Sequence, residues 1–184
     1  GESGLTYAEG DAEAERIAML LRARGVGDSS VVGVQLEPSA LLVATILSAQ
    51  CTDARVNQVT PSVFARYPSA RELAKAAPGD LEALIQPTGF FRVKARSLIG
   101  MAQAVVTTHG GEIPSNMDDL VALPGVGRKT ANVVRGHAFG LPGLPVDRHV
   151  LRVTNRIGLA SSQNPDVVET ALGAALPPSR WTRA

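Results

Sequence analysis

A chain of 184 residues, 45% apolar and 19% charged, holds enough apolar material for one sizeable core or two small helical domains and is not a disordered tail. No segment approaches the roughly 18 uninterrupted apolar residues of a membrane span, and the acidic, glycine-containing start lacks the parts of a signal peptide, so the expectation is a soluble intracellular protein, cytoplasmic or nucleoid-associated. A lone cysteine, Cys51, excludes an internal disulfide framework and a cysteine-based metal site within these residues, and it reads as a small buried apolar residue.

Taken in chain order, the apolar spacing is helical almost throughout. Ile17, Leu20 and Leu21 mark an N-terminal helix, and Ser29 to Pro38 reads as a linker or surface loop. Leu42, Ile46, Val56 and Val59 continue the helical pattern, as do Leu98, Met101, Ala102 and Val105, and later Val150, Val153 and Ile157. Ser115 ahead of Met117-Asp118-Asp119 and the run Asn164-Pro165-Asp166 are helix starts, with acids in the first turn and a first-turn proline in the second. Gly158 and Pro177 read as stops. No convincing alternating strand is present, and the predicted architecture is all-α, a bundle of roughly eight to ten short helices joined by brief Gly/Pro/Ser turns.

The net charge of +1 is uninformative, but its distribution is not. Residues 1–30 hold six acids against three arginines, whereas 121–160 hold Arg128, Lys129, Arg135, Arg148, Arg152 and Arg156 against Asp147 alone. That second stretch is either a phosphate-facing surface or a solvated helix face. Within it, residues 117–139 read as helix, tight glycine turn and helix, with Pro124 closing the first helix. Gly125 and Gly127 are expected to permit positive φ, leaving the N–H groups of the turn pointing outward at the start of the next helix. Backbone donors with the positive helix end behind them suit a phosphate, and recognise it without regard to base sequence.

The string Leu123-Pro124-Gly125-Val126-Gly127-Arg128-Lys129-Thr130-Ala131, followed by Val146-Asp147-Arg148-His149-Val150, resembles the endonuclease III family of DNA glycosylases. Leu47 to Asp53, Val56-Asn57, Gly89-Phe90-Phe91-Arg92 with Lys94-Ala95, and Gly110 to Pro114 extend the resemblance in the same order, so that it runs nearly continuously from about Leu41 to Leu159. It implies the helix-hairpin-helix glycosylase fold with the active cleft between two helical domains: a middle domain near 31–141, and a second built from 1–30 plus 142–184.

Read from the residues alone, a lysine just inside a helix start, beside Arg128 and a phosphate-binding turn, is poorly placed to hold a second positive charge. Desolvation, the guanidinium and the helix dipole favour its neutral, nucleophilic form, with a plain phosphate contact as the other reading. The resemblance implies that Lys129 attacks the sugar C1′, displaces a damaged base and forms a Schiff base that leads to β-elimination. Asp147 can cap the next helix, and the resemblance implies that it also assists deprotonation of Lys129 and stabilises positive charge on the sugar. Arg148 departs from the threonine familiar at that position and is expected to add a phosphate contact or alter substrate fit, while His149 reads as a packed or hydrogen-bonded helix residue. A base must leave the stack to be processed. Gln50 is expected to fill the vacated space and Phe90 to wedge between base pairs, although the sequence leaves open which of the Phe90 and Phe91 rings points outward and which lies in the core. Asp53 and Asn57 are expected to shape the pocket or hold its loop. Gly125, Val126, Gly127, Arg128 and Thr130 complete the expected DNA contacts.

The implied activity is removal of oxidised pyrimidines from duplex DNA and cleavage of the abasic site, by a monomer whose partner is damaged double-stranded DNA and not a membrane. A related adenine-excising branch is disfavoured by Lys129, and a catalytically silent DNA-binding module by Lys129 and Asp147 together. The resemblance also implies a 4Fe–4S cluster held by four cysteines. With Cys51 alone, no such cofactor is encoded here, and it is expected only if the protein continues beyond Ala184.

Overall fold

The structure, a computed structural model, describes residues 38–183. The expected N-terminal helix around Ile17 to Leu21, and residues 29–37 of the expected linker, lie outside the described residues. Pro38 does not belong to a loop, because it opens the first described helix, where a missing N–H costs nothing. The described residues form nine α-helices and no strand: α1 Pro38–Ser48, α2 Asp53–Arg66, α3 Ala70–Leu73, α4 Pro78–Ile85, α5 Phe91–Thr108, α6 Met117–Val121, α7 Arg128–Phe139, α8 Arg148–Arg156 and α9 Pro165–Ala175, with 3-10 turns at Gln86–Thr88 and Pro178–Arg183. No helix among them is long and apolar enough to cross a membrane.

Start and stop signals act as the sequence indicates, with one shift. Asn164 accepts from the Asp166 N–H at 2.9 Å and Pro165 occupies the first turn of α9. At α6, however, Asn116 and not Ser115 is the cap, its side chain accepting from the Asp118 N–H at 2.7 Å. Gly158, at φ 78°, and Pro177 follow the ends of α8 and α9.

Buried apolar side chains fall into two clusters. The larger draws on α1 to α7, with Leu42, Leu47, Leu81, Ile85, Leu98, Leu120 and Val134 inaccessible to solvent. The smaller gathers Leu144, Val146, Val168 and Leu172, with Val150, Leu151, Ala160 and Trp181 packed against them. Trp181 is held there by its indole N–H, which donates to the Leu176 carbonyl at 2.8 Å.

Polar groups join the clusters. Asn132, buried in α7, accepts from the Leu144 N–H at 3.2 Å and donates to the Glu169 carboxylate of α9 at 3.0 Å. Gly143 lies against the same residue so closely that a Cβ there would stand 2.2 Å from the Asn132 carbonyl oxygen, an approach only glycine permits. Backbone cannot yield as a flexible side chain can. Gly143→Ala is therefore expected to cost about 2–3 kcal/mol in urea unfolding, in the range of an overpacked core. Gly79→Ala, in α4 with nothing within 4 Å of the added methyl, is expected to be neutral or slightly stabilising. Equal midpoints for the two variants would show that segment 140–147 moves away from α7 without penalty.

Candidate active site

Lys129 and Asp147 face each other across the start of α7 and the start of α8. Asp147 caps α8 through one oxygen: Oδ1 accepts the N–H groups of His149 and Val150, each at 2.9 Å. The second oxygen, Oδ2, stands 3.6 Å from Lys129 Nζ. Capping and contact with the lysine are thus divided between the two oxygens of Asp147. The Val150 N–H above all, with Lys129 and the His149 N–H adding to it, holds the Asp147 carboxyl below the usual carboxylate range against the opposing effect of partial burial.

The two side chains open on a cleft of about 680 Å³ whose lining includes Gln50, Arg148, His149 and Pro165. Arg148 is exposed at the first position of α8. His149 is exposed too; its ring Nδ1 lies 3.2 Å from the Arg152 guanidinium, so it is a hydrogen-bonded helix residue without being a packed one.

The surroundings of Lys129 differ from the expectation in two respects. Its side chain is 56% exposed and so is not the desolvated lysine that the sequence suggests. Nor does the Arg128 guanidinium crowd it, because Arg128 turns away and makes a bidentate pair with Glu169, both N–H···O distances being 2.9 Å, with Asp166 at 3.9 Å. Glu169 holds Arg128 charged even more firmly than an arginine is on its own. In this structure Arg128 is a strut between α7 and α9, which sequence reasoning missed because nothing local marks Glu169, 41 residues on, as its partner.

The hairpin turn is fixed from within at one glycine and open at the other. Gly125 adopts φ 78°, and a Cβ there would stand 2.6 Å from Ser97 Cβ on α5. Gly127, contrary to expectation, has φ −88° and serves as the cap position of α7, and a side chain there would meet nothing within 4 Å. Its conformation does not require glycine; only an external group approaching the backbone would. Val126 is buried, so only its backbone can reach a ligand, whereas Thr130 is half-buried.

Gln50 and Phe90 share an unusual trait: they are the two non-glycine residues with positive φ among those described, at 52° and 48°. Left-handed backbone costs an L-residue roughly 1–2 kcal/mol and persists where surrounding structure enforces it. Phe90 projects 66% of its surface, while Phe91 packs on the larger core. Both turns border a second depression of about 260 Å³, lined also by Ile46, Val93, Lys94, Ser97 and Gly125. Asp53 and Asn57 lie elsewhere, exposed beside Ser48 on a depression of about 190 Å³.

Lys94 carried no role in the sequence reading, although its motif was singled out. It is 5% exposed and donates from Nζ to the carbonyls of Leu47 and Thr88, both at 2.8 Å. No grouping of His, Cys, Asp and Glu able to hold a metal ion occurs among the described residues. Cys51 lies at the end of α1, partly buried, with its thiol 3.6 Å from the Thr52 carbonyl.

Comparison with known proteins agrees with this geometry. Residues 43–178 match the family model of the HhH-GPD superfamily base excision DNA repair proteins. Endonuclease III of Synechocystis is 51% identical over 145 residues, covering 78% of this chain and 66% of that protein. Endonuclease III of Escherichia coli is 35% identical over 166 residues, 90% and 79% of the respective chains. The chain thus spans between about two thirds and four fifths of these relatives. A solved non-covalent endonuclease III–DNA complex superposes with a TM-score of 0.76 at 36% identity, over 98% of this chain and 82% of that one. A trapped covalent endonuclease III–DNA intermediate gives 0.77 at 36%, over 98% and 83%. The chain belongs to the HhH-GPD superfamily of base excision DNA repair proteins, and within it to the endonuclease III family.

Proposed function

We propose that this chain is a bifunctional DNA glycosylase and abasic-site lyase acting on oxidised pyrimidines in duplex DNA, with Lys129 as nucleophile and Asp147 as its acidic partner. The observation that carries the reading is the pairing of Lys129 Nζ with the uncapped oxygen of Asp147 at the mouth of an open cleft beside a glycine hairpin. Its first step forms a bond from the lysine nitrogen to C1′ and breaks the glycosidic bond, the base leaving with a proton. Loss of the ring oxygen from C1′ gives the Schiff base. Removal of a C2′ proton then expels the 3′ phosphate, and water releases the enzyme.

Asp147 suits the charge-stabilising part of this sequence. A carboxyl held below its usual range is ionised at neutral pH and weakly basic, so it stabilises positive charge on the sugar more readily than it takes a proton from an ammonium.

Duplex binding is assigned to the backbone of 125–127 with Thr130 and Arg148. The open space at Gly127, which internal packing does not explain, supports a phosphate there. Arg128 contributes charge near this surface while remaining bound to Glu169. Gln50 and Phe90, both exposed and both in left-handed backbone, are the side chains assigned to the gap and the wedge. We infer two domains, 31–141 and 1–30 plus 142–184; among the described residues, the division of buried apolar side chains into two clusters supports a boundary near 141. The family's 4Fe–4S cluster needs four thiolates, and Cys51, at the end of α1, is the sole cysteine of the sequence. These residues do not fit such a cluster. The adenine-excising and non-catalytic alternatives are disfavoured by Lys129 and by its pairing with Asp147.

Lys129→Ala is expected to abolish borohydride trapping on an abasic-site duplex while DNA affinity stays within a few-fold, since phosphate contacts are spread over backbone and several side chains. Persistent trapping by the variant would move the nucleophile elsewhere.

Asp147→Asn is expected to slow single-turnover excision about 10²-fold. Because the folded Asp147 pKa is depressed, its contribution to stability is fully present above the unfolded value of about 3.9 and disappears as pH falls through the lower folded value. The melting-temperature gap between wild type and Asp147→Asn should accordingly be constant from pH 7 to 5 and close toward pH 3. A gap independent of pH would remove the ionised cap from the account.

Gln50→Ala and Phe90→Ala are each expected to impair excision from duplex at least about 10-fold more than cleavage at a preformed abasic site, where no base has to be extruded. Equal losses on the two substrates would assign these residues to general DNA binding.

A further inference from the structure

The turns that carry Gln50 and Phe90 are 40 residues apart in sequence, yet one side chain is bonded to both. Gln50 follows the end of α1. There the Cys51 N–H, which would continue the helix by bonding to Leu47, bonds instead to the Ser48 carbonyl at 3.0 Å. The Leu47 carbonyl receives its donor from Lys94. Phe90 follows the 3-10 turn Gln86–Thr88, and the carbonyl of Thr88, two residues before it, receives the other N–H of the same ammonium. Lys94 itself sits one turn into α5, its backbone N–H bonded to the Phe90 carbonyl at 3.0 Å. Its side chain crosses beneath the depression bordered by both turns.

Among the described residues Lys94 is the buried charged side chain, and no carboxylate pairs with it. Burial pushes its pKa below the usual lysine range, the cost of removing a cation from water. An apolar residue would satisfy a packing requirement at that position without this cost. What it could not supply is donors to two carbonyls belonging to two different turns. Both turns hold a non-glycine residue in left-handed backbone, a conformation that relaxes unless neighbouring atoms hold it.

We propose that Lys94 is a positioning residue that ties the Gln50 turn to the Phe90 turn, so that the two side chains enter the duplex as one unit at a fixed spacing. This rests on the reading that Gln50 and Phe90 act in base extrusion, and it adds the device that couples them. Lys94 does not touch DNA; it acts through the Leu47 and Thr88 carbonyls.

The test compares Lys94→Met, which keeps length and apolar bulk without N–H groups, with Lys94→Arg, which keeps donors. Single-turnover excision from a thymine glycol duplex and borohydride trapping at a preformed abasic site are measured in parallel, with circular dichroism melts of each protein. Lys94→Met is expected to lose at least about 10-fold in excision and less than about 3-fold in trapping, with Lys94→Arg recovering most of the difference. Equal losses on both substrates that arginine does not recover, or unchanged excision, would overturn the proposal. A second arm measures the coupling of Gln50→Ala with Phe90→Ala. Their effects on excision are expected to be non-multiplicative in the wild-type background, by about 5-fold or more, and multiplicative in Lys94→Met. Should Lys94→Met not fold, multiplicative effects in the wild-type background overturn the proposal and non-multiplicative effects uphold it. Failure of the wild-type chain to excise thymine glycol or be trapped overturns instead the glycosylase reading on which the proposal rests.

Discussion

The amide of Asn132 holds together two parts of the chain that local sequence would leave independent. It is buried in the helix that follows the hairpin, its oxygen accepts the Leu144 N–H, and its nitrogen donates to Glu169. The Asn132 backbone carbonyl leaves room for nothing larger than Gly143. A buried amide with both ends satisfied is directional in a way apolar packing is not, so segment 140–147 has one place to lie. Asp147 stands at the end of that segment. Its distance from Lys129, eighteen residues earlier, is set by this anchoring more than by attraction between two largely solvated charges.

Glu169 extends the same constraint to the hairpin. By gripping Arg128 with both carboxylate oxygens it fixes the start of α7, and neighbouring Lys129 is left with one ion-pair partner among the described residues and more than half its surface in solvent. Two adjacent cations therefore differ in freedom. The arginine, with a planar fork suited to a bidentate carboxylate, becomes structural; the lysine, a compact charge on a flexible stem, keeps the reach that the proposed attack on a sugar carbon would need.

The all-helical architecture was legible because apolar spacing, caps and stops agree along most of the chain, as at Asn164-Pro165-Asp166. The order of the motifs also indicated which residues belong near one cleft, and Lys129, Asp147, Arg148 and Gln50 border a common one. What sequence could not express were relations across space. Gly125 and Gly127 look alike in a string, yet one has positive φ with Ser97 where a Cβ would stand and the other has neither. Arg128 reads as a phosphate ligand until Glu169 appears from another helix. Lys94 carries no marked role in the string, because a charge four residues into a helix gives no sign that its end lies beneath two loops. Positive φ at Gln50 and Phe90 was equally invisible, since nothing in a glutamine or a phenylalanine announces a left-handed backbone.

The left-handed turns bear on how a lesion would be found. On the proposed reading Phe90 stands outward before any DNA arrives, so the ordering of the probe is completed during folding and little conformational entropy remains to be lost on contact. A stiff probe presses on every base step alike. Discrimination then falls to the duplex, whose stacking yields more readily where a base is damaged or missing, and search speed is governed by how briefly the protein lingers at steps that do not yield.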